Sequence, residues 1–365
     1  MIKRIISFFT LISMMLCMNN TVYADAVISE GDQTLNYIIY SDIESAVYVE
    51  SNDVLQLSSD DQYDVDVVRN YIMAGGIVVV DNEAESFAAT ITGEPNISFQ
   101  FDEKLSSNLV ATLYYEYKDV IASKEIIVEG EDIQQNKNDS IARGVALARD
   151  EQNRAVDEPE DEFLIDRLTF LYSCVPYFQI DGSYNVYTVQ DSSIGEDHYV
   201  IWADIYGNSG SAISSINSHY DNKYQTDHMI ISMDSQTSGF ERVQYDPKST
   251  EKASSYNVNV GLTISKDFGL SLGLFNKTYE VPDIDIGAVS TSDTTVWTIN
   301  YRGDAQKRTT ELHPAIDWRC PDNTQEVITN STITYQVDSW NTLPVERTIG
   351  YNLIFTPTSA IIERD

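Results

Sequence analysis

Positive charge is what this chain has least of. Lys and Arg number 23 against 57 Asp and Glu, for a formal net charge of −34 over 365 residues. A field of that sign repels polyphosphate backbones and anionic lipid surfaces, so nucleic-acid binding is excluded and any membrane contact has to rely on aromatic and apolar side chains. Three cysteines and four histidines leave little for metal cages, and no cysteine pair has zinc-site spacing. The nucleophile elbow, phosphate loop, zincin helix and calcium-loop spacing are all missing. His219 and His228 lie near Asp221 and Asp227, but polar residues in a loop before a strand account for them, and His198 and His313 are isolated and read as structural. The composition therefore calls for no cofactor and no metal, and leaves an enzyme resting only on an unassigned α/β segment.

Long apolar runs are equally scarce. Ile5 to Met18 is uncharged, is preceded by Lys3 and Arg4 and is followed by Val22-Tyr23-Ala24. That order predicts a signal peptide over residues 1–24 and a secreted, extracellular protein. The run is shorter than the ~20 residues of a spanning helix. Past it, Cys174 and Cys320 make one candidate disulfide in an oxidising compartment, with two buried free thiols as the alternative.

Residues 25–128 read as a small α/β accessory domain. Asp64 to Met73 carries apolar residues at helical spacing, Gly75-Gly76 stops it, and Ile77-Val78-Val79-Val80 is a continuous apolar run of the kind a strand covered on both faces shows. Residues 129–162 hold eleven acidic and four basic residues and predict an exposed acidic linker with one or two helical turns, in which Arg143, Arg149 and Arg154 are candidate processing sites. Residues 163–365 are almost wholly strand-like, rich in Tyr and Thr and broken by Gly, Asn, Asp and Ser. The fold class that follows is mainly β: an antiparallel β-sandwich preceded by a small α/β domain.

One segment departs from this background. Tyr256, Val258, Val260, Leu262 and Ile264 alternate with Ser255, Asn257, Asn259, Gly261, Thr263 and Ser265, and after a turn Phe268, Leu270, Leu272 and Leu274 continue the apolar face opposite small residues. An ordinary sandwich hairpin fits this alternation. The lack of charge points further, because with 22% charged residues the chance that residues 253–265 would all be neutral is only about 4%. A strand built to face lipid on one side and a lumen on the other avoids charge in this way. The return strand loses its parity at Phe275, which demands a bulge or an abrupt end.

In order along the chain come Met229 to Met233, Tyr245-Asp246-Pro247-Lys248, Ser255 to Gly261, Asn276 to Val281, Val296-Trp297-Thr298-Ile299-Asn300-Tyr301 and Thr332 to Trp340. Over residues 195–355 this succession resembles the leukocidin/haemolysin family of β-barrel pore-forming toxins. The resemblance implies a monomer in solution that binds a target membrane or surface receptor, forms a homo-oligomer there and contributes the amphipathic pre-stem hairpin to a shared barrel. It also implies a pro-domain ahead of the toxin core, in the place of residues 25–128, and a membrane-contacting rim, for which Trp202, Tyr206, Tyr220, Tyr224, Trp318 and Arg319 are candidates. The competing reading is a non-enzymatic secreted β-sandwich binding or cell-surface protein whose hairpin stays in the core.

Overall fold

The computed structural model describes residues 35–38, 53–57, 63–80, 97–101, 108–118, 120–130, 133–157, 164–191, 196–263, 271–280, 283–321 and 327–355. The expected signal peptide lies outside them. Residues 34–365 cluster as one compact unit. Its strands are β1 (Asn36–Ile38), β2 (Asp53–Leu57), β3 (Ile77–Val80), β4 (Ile97–Phe101), β5 (Leu109–Tyr117), β6 (Val120–Gly130), β7 (Leu164–Val175), β8 (Phe178–Asp191), β9 (Glu196–Ser209) and β10 (Gln225–Ser235). They continue as β11 (Glu241–Asp246), β12 (Thr250–Ala253), β13 (Tyr256–Thr263), β14 (Ser271–Tyr279), β15 (Ile284–Ser290), β16 (Thr294–Tyr301), β17 (Thr310–Leu312), β18 (Ala315–Pro321), β19 (Val327–Asp338) and β20 (Val345–Phe355). The helices are α1 (Val65–Met73), α2 (Ile133–Asp157) and the single turn α3 (Gly210–Ile213).

The protein is mainly β, as its alternation predicts. Among the described residues, one eleven-stranded sheet runs β1-β2-β3-β5-β6-β7-β8-β9-β18-β11 with β17 beside β9, and a seven-stranded sheet runs β12-β15-β16-β10-β19-β20-β4. Their facing sides share one core. Phe170 on β7 meets Tyr351 on β20 at 4.8 Å between ring centroids, Phe178 on β8 meets Tyr335 on β19 at 5.0 Å, and the Tyr184 hydroxyl reaches Ser331 Oγ at 2.9 Å. Strand β19 alternates buried and half-buried along its whole length, the period of two that one packed face imposes.

The N-terminal segment is built as the sequence suggests, up to a point. Asp64 caps α1 by accepting from the Asp66 N–H at 2.9 Å, and Gly75, at φ +91°, closes the helix with its N–H on Ile72 O. On β3, Ile77 and Val79 pack with the α2 core while Val78 and Val80 pack with α1, so this strand is covered on both faces.

Two boundaries move. Residues 133–157 form a 25-residue helix, where an exposed linker with one or two turns was expected. Ile141, Val145 and Ala148 lie on one stripe of it and are buried against Leu113, Ile126 and Leu171. The polar and charged residues around these three mask that stripe in the sequence. Nor do residues 25–128 stand apart: β6 pairs in parallel with β7 from Ser123↔Leu168 to Gly130↔Val175, and β4 pairs with β20. The α/β segment extends one sheet of the sandwich and supplies an edge strand to the other.

Helix α2 is held by charge as well as by apolar packing. Glu151 reaches Lys124 Nζ at 3.0 Å and Arg167 NH2 at 3.1 Å, and it accepts from the Tyr115 hydroxyl at 2.5 Å. Lys124, with no exposed side-chain surface, also meets Asp181 at 3.2 Å. Burial works against the Glu151 charge, but Lys124 and Arg167 outweigh it and hold the carboxyl down at about 2, against an ordinary 4.5.

Candidate functional site

Strands β13 and β14 pair with each other and, among the described residues, form a two-stranded sheet separate from both large ones. Register runs from Tyr256↔Tyr279 to Val260↔Phe275 and then shifts to Leu262↔Leu272, placing one extra β14 residue where the sequence loses its parity. Tyr256, Val258 and Val260 are buried in the main core together with Tyr279, while Ser255, Asn257 and Asn259 face outward. Leu262, Leu272 and Leu274 lie on these strands, although their side chains are outside the described residues, as are Ile264, Phe268 and Leu270 altogether.

Side chains fasten this hairpin to the sandwich. Strand β11 lies beside β13, where Gln244 Nε2 donates to Asn259 O and Asp246 Oδ2 accepts from the Asn259 N–H at 2.8 Å. These contacts satisfy the edge of β13 locally, with side chains doing what a ladder would do. Desolvation raises the Asp246 carboxyl above its ordinary value, offset in part by that N–H. Next to Asp246, Pro247 O accepts from the Trp297 indole at 3.0 Å, which ties the start of the hairpin connection to β16.

At the other end His313, 1% exposed, meets both strands. Its ring lies on Tyr279 at 3.7 Å between centroids and 11° between planes, and its main-chain N–H donates to the Tyr256 hydroxyl at 3.2 Å. Tyr256 stacks on Tyr279 at 5.3 Å. Behind the imidazole, Nδ1 is 2.5 Å from Asp204 Oδ1 and Nε2 is 3.6 Å from Glu311 Oε2. Burial alone would lower the imidazole, but Asp204 and Glu311 raise it above its ordinary value. His313 was read as an isolated structural histidine, and no sequence signal places it at the hairpin.

The other candidates fall elsewhere. Trp202, Tyr220, Tyr224 and Trp318 are buried, Tyr206 is half-buried with its ring against His313 at 5.5 Å, and Arg319 pairs with Glu241. These residues make no exposed rim: Trp202 on β9, Trp318 on β18 and Tyr224 pack into the main core, and Tyr220 packs with Val175 and Ile213. Cys174 and Cys320 are buried free thiols, and the disulfide alternative falls. Arg149 is committed to Gly75 O at 3.0 Å and Asp53 O at 2.9 Å, and the Nε and one terminal nitrogen of Arg143 are buried, so neither is an accessible processing site; the Arg154 side chain is outside the described residues. His219 pairs with Asp139 and His228 with Asp227, and no group of three metal-ligating side chains converges among the described residues.

What the sequence reading missed on the surface is the turn between β19 and β20. Trp340 is 89% and Leu343 85% exposed, at the tip of Ser339-Trp340-Asn341-Thr342-Leu343-Pro344, which carries no charge. The neutral run carries the signal, but Trp340 also closes the Thr332 to Trp340 segment of the toxin-like succession, which hides it.

No family model matches the chain, and no curated protein matches it. Among solved structures it is similar to one described as a pore forming protein, at 11% identity and a TM-score of 0.34 over 51% of this chain and 89% of that one. It is also similar to Clostridium perfringens delta-toxin, at 10% identity and 0.31 over 48% and 83%. A third likeness is to the Clostridium perfringens NetB toxin in its membrane-inserted form, at 10% identity and 0.29 over 51% and 93%.

Proposed function

We propose that this is a secreted pore-forming protein, monomeric in solution, that assembles as a homo-oligomer on a target membrane and there releases the β13–β14 hairpin into a shared β-barrel. The observation that carries the reading is the hairpin's attachment: its described apolar residues Tyr256, Val258, Val260 and Tyr279 are buried, yet among the described residues it shares no backbone ladder with either large sheet. Burying Tyr256, Val258, Val260 and Tyr279 holds it down with on the order of 8 kcal/mol. Release breaks side-chain bonds worth roughly 1 kcal/mol each and no sheet. In a membrane the apolar face meets lipid, the small polar residues face the lumen, and ring closure pairs every strand edge.

Membrane contact is assigned to Trp340 and Leu343, an uncharged aromatic–aliphatic tip suited to the headgroup boundary of a zwitterionic bilayer.

The test is dye release from phosphatidylcholine liposomes by the protein and by Gln244→Cys/Asn259→Cys, whose disulfide staples β13 to β11. Leakage is expected from the reduced staple and not from the oxidised one. Leakage that ignores the staple refutes hairpin release. No leakage and no rings with any form makes the chain a sandwich binding protein.

A further inference from the structure

The hairpin's two fastenings differ in kind. Near its middle, Gln244 and Asp246 hold one peptide of β13. At its base, a single residue of the β17–β18 connection contacts both strands through different atoms: the His313 ring lies flat on Tyr279 and the His313 amide bonds Tyr256. That base is also where movement has to begin. The segments flanking the hairpin, β12 and β15, pair with each other at Thr250↔Ile286 and Ala253↔Ile284 and belong to the seven-stranded sheet, so the chain on both sides of Tyr256 and Tyr279 is anchored.

His313 is itself unable to follow the hairpin. Asp204 on β9 and Glu311 on β17 flank its two ring nitrogens, Asp204 also accepts from the Trp202 indole at 2.9 Å, and Tyr206 packs edge-on against the imidazole. An imidazole held in place between two carboxylates, with a tyrosine of a detachable element on its open face, is a stacking platform.

We propose that His313 is the lock on the hairpin's pivot, and that release of β13–β14 starts with separation of the Tyr279 ring from the His313 ring. This rests on the reading of β13–β14 as a releasable element and adds where its release is controlled. The docked hairpin is then a two-state element in which the ring contact at its base adds to the buried Tyr256, Val258 and Val260 in setting the open fraction.

The experiment needs no membrane. Val258, fully buried on the hairpin's core face, becomes a thiol reporter as Val258→Cys, while the native Cys174 and Cys320, buried in the sandwich, report on global opening. Labelling by a maleimide is followed by mass spectrometry of peptides. Adding Tyr279→Ala should speed labelling at 258 roughly tenfold with Cys174 and Cys320 still protected, whereas Tyr279→Phe, which keeps the ring, should label as slowly as the parent. His313→Ala should match Tyr279→Ala. If His313→Ala also exposes Cys174, Tyr279→Ala decides alone, because it leaves the Asp204–His313 pair intact. Labelling at 258 that changes less than twofold in Tyr279→Ala, or as much in Tyr279→Phe, overturns the proposal. Faster labelling in a protein that never permeabilises liposomes upholds the lock and refutes the pore.

Discussion

Replacing Glu151 by Gln should destabilise the fold by about 3 kcal/mol at neutral pH, and two independent routes give that figure. Structurally, the substitution takes the shared carboxylate from fully buried Lys124, which keeps Asp181, and from Arg167, which keeps Asn185 and the Tyr117 ring among its contacts; breaking a buried, hydrogen-bonded ion pair from one side costs roughly 3–5 kcal/mol. By linkage, a carboxyl held at about 2 in the folded chain instead of 4.5 contributes ~3 kcal/mol of stability. The sign follows from the depressed value. The contribution is complete above the unfolded-state pKa and is lost as pH falls from about 4.5 through 2. Urea unfolding of wild type and Glu151→Gln at pH 7 and at pH 3 measures both. The expected gap is about 3 kcal/mol at pH 7, and it narrows by more than half on acidification. A gap below about 1 kcal/mol, or one equal at both pH values, refutes the idea that Glu151 is the charged hub fixing α2 to the sheet.

Trp340→Ala/Leu343→Ala should lower co-sedimentation with phosphatidylcholine vesicles at least tenfold while leaving thermal unfolding unchanged; equal binding removes the turn from membrane contact. The purified chain should carry both Cys174 and Cys320 as free thiols that react only in denaturant, since burial pushes the Cys174 thiol up to about 12, and a mass two units lower after air oxidation would contradict this. Trypsin applied to the native protein should spare Arg149, whose guanidinium is bound to Gly75 O and Asp53 O; rapid cleavage there would show that α2 opens locally.

Features with a short period were legible in the sequence. The alternation of β13, the parity break that became the β14 bulge, the α1 helix with its glycine stop and the doubly covered β3 each depend on neighbours a few residues away. Helix α2 was hidden because only Ile141, Val145 and Ala148 mark its buried stripe amid charge. The rim was misplaced because an aromatic in a strand looks the same whether it meets lipid or a facing sheet, and Trp202 on β9 and Trp318 on β18 pack into the core. The Lys124–Glu151–Arg167–Asp181 network spans 57 residues of chain, and the His313 contact with Tyr256 crosses another 57. No local pattern reports contacts of that range.

The pairing of β4 with β20 has a consequence for how the protein comes to exist. Phe101 lies opposite Tyr351, so an edge of the seven-stranded sheet is contributed by the first third of the chain and closed by β20, the last described strand. Bringing such distant segments together costs about 5 kcal/mol of loop entropy before any contact repays it. High sequence separation of this kind slows folding. The sandwich therefore cannot be completed until β20 has been synthesised, and a chain truncated before Val345 should leave β4 without its partner and β19 paired on the β10 side only. Full-length synthesis becomes a checkpoint: a prematurely ended chain lacks the strand that finishes the sheet.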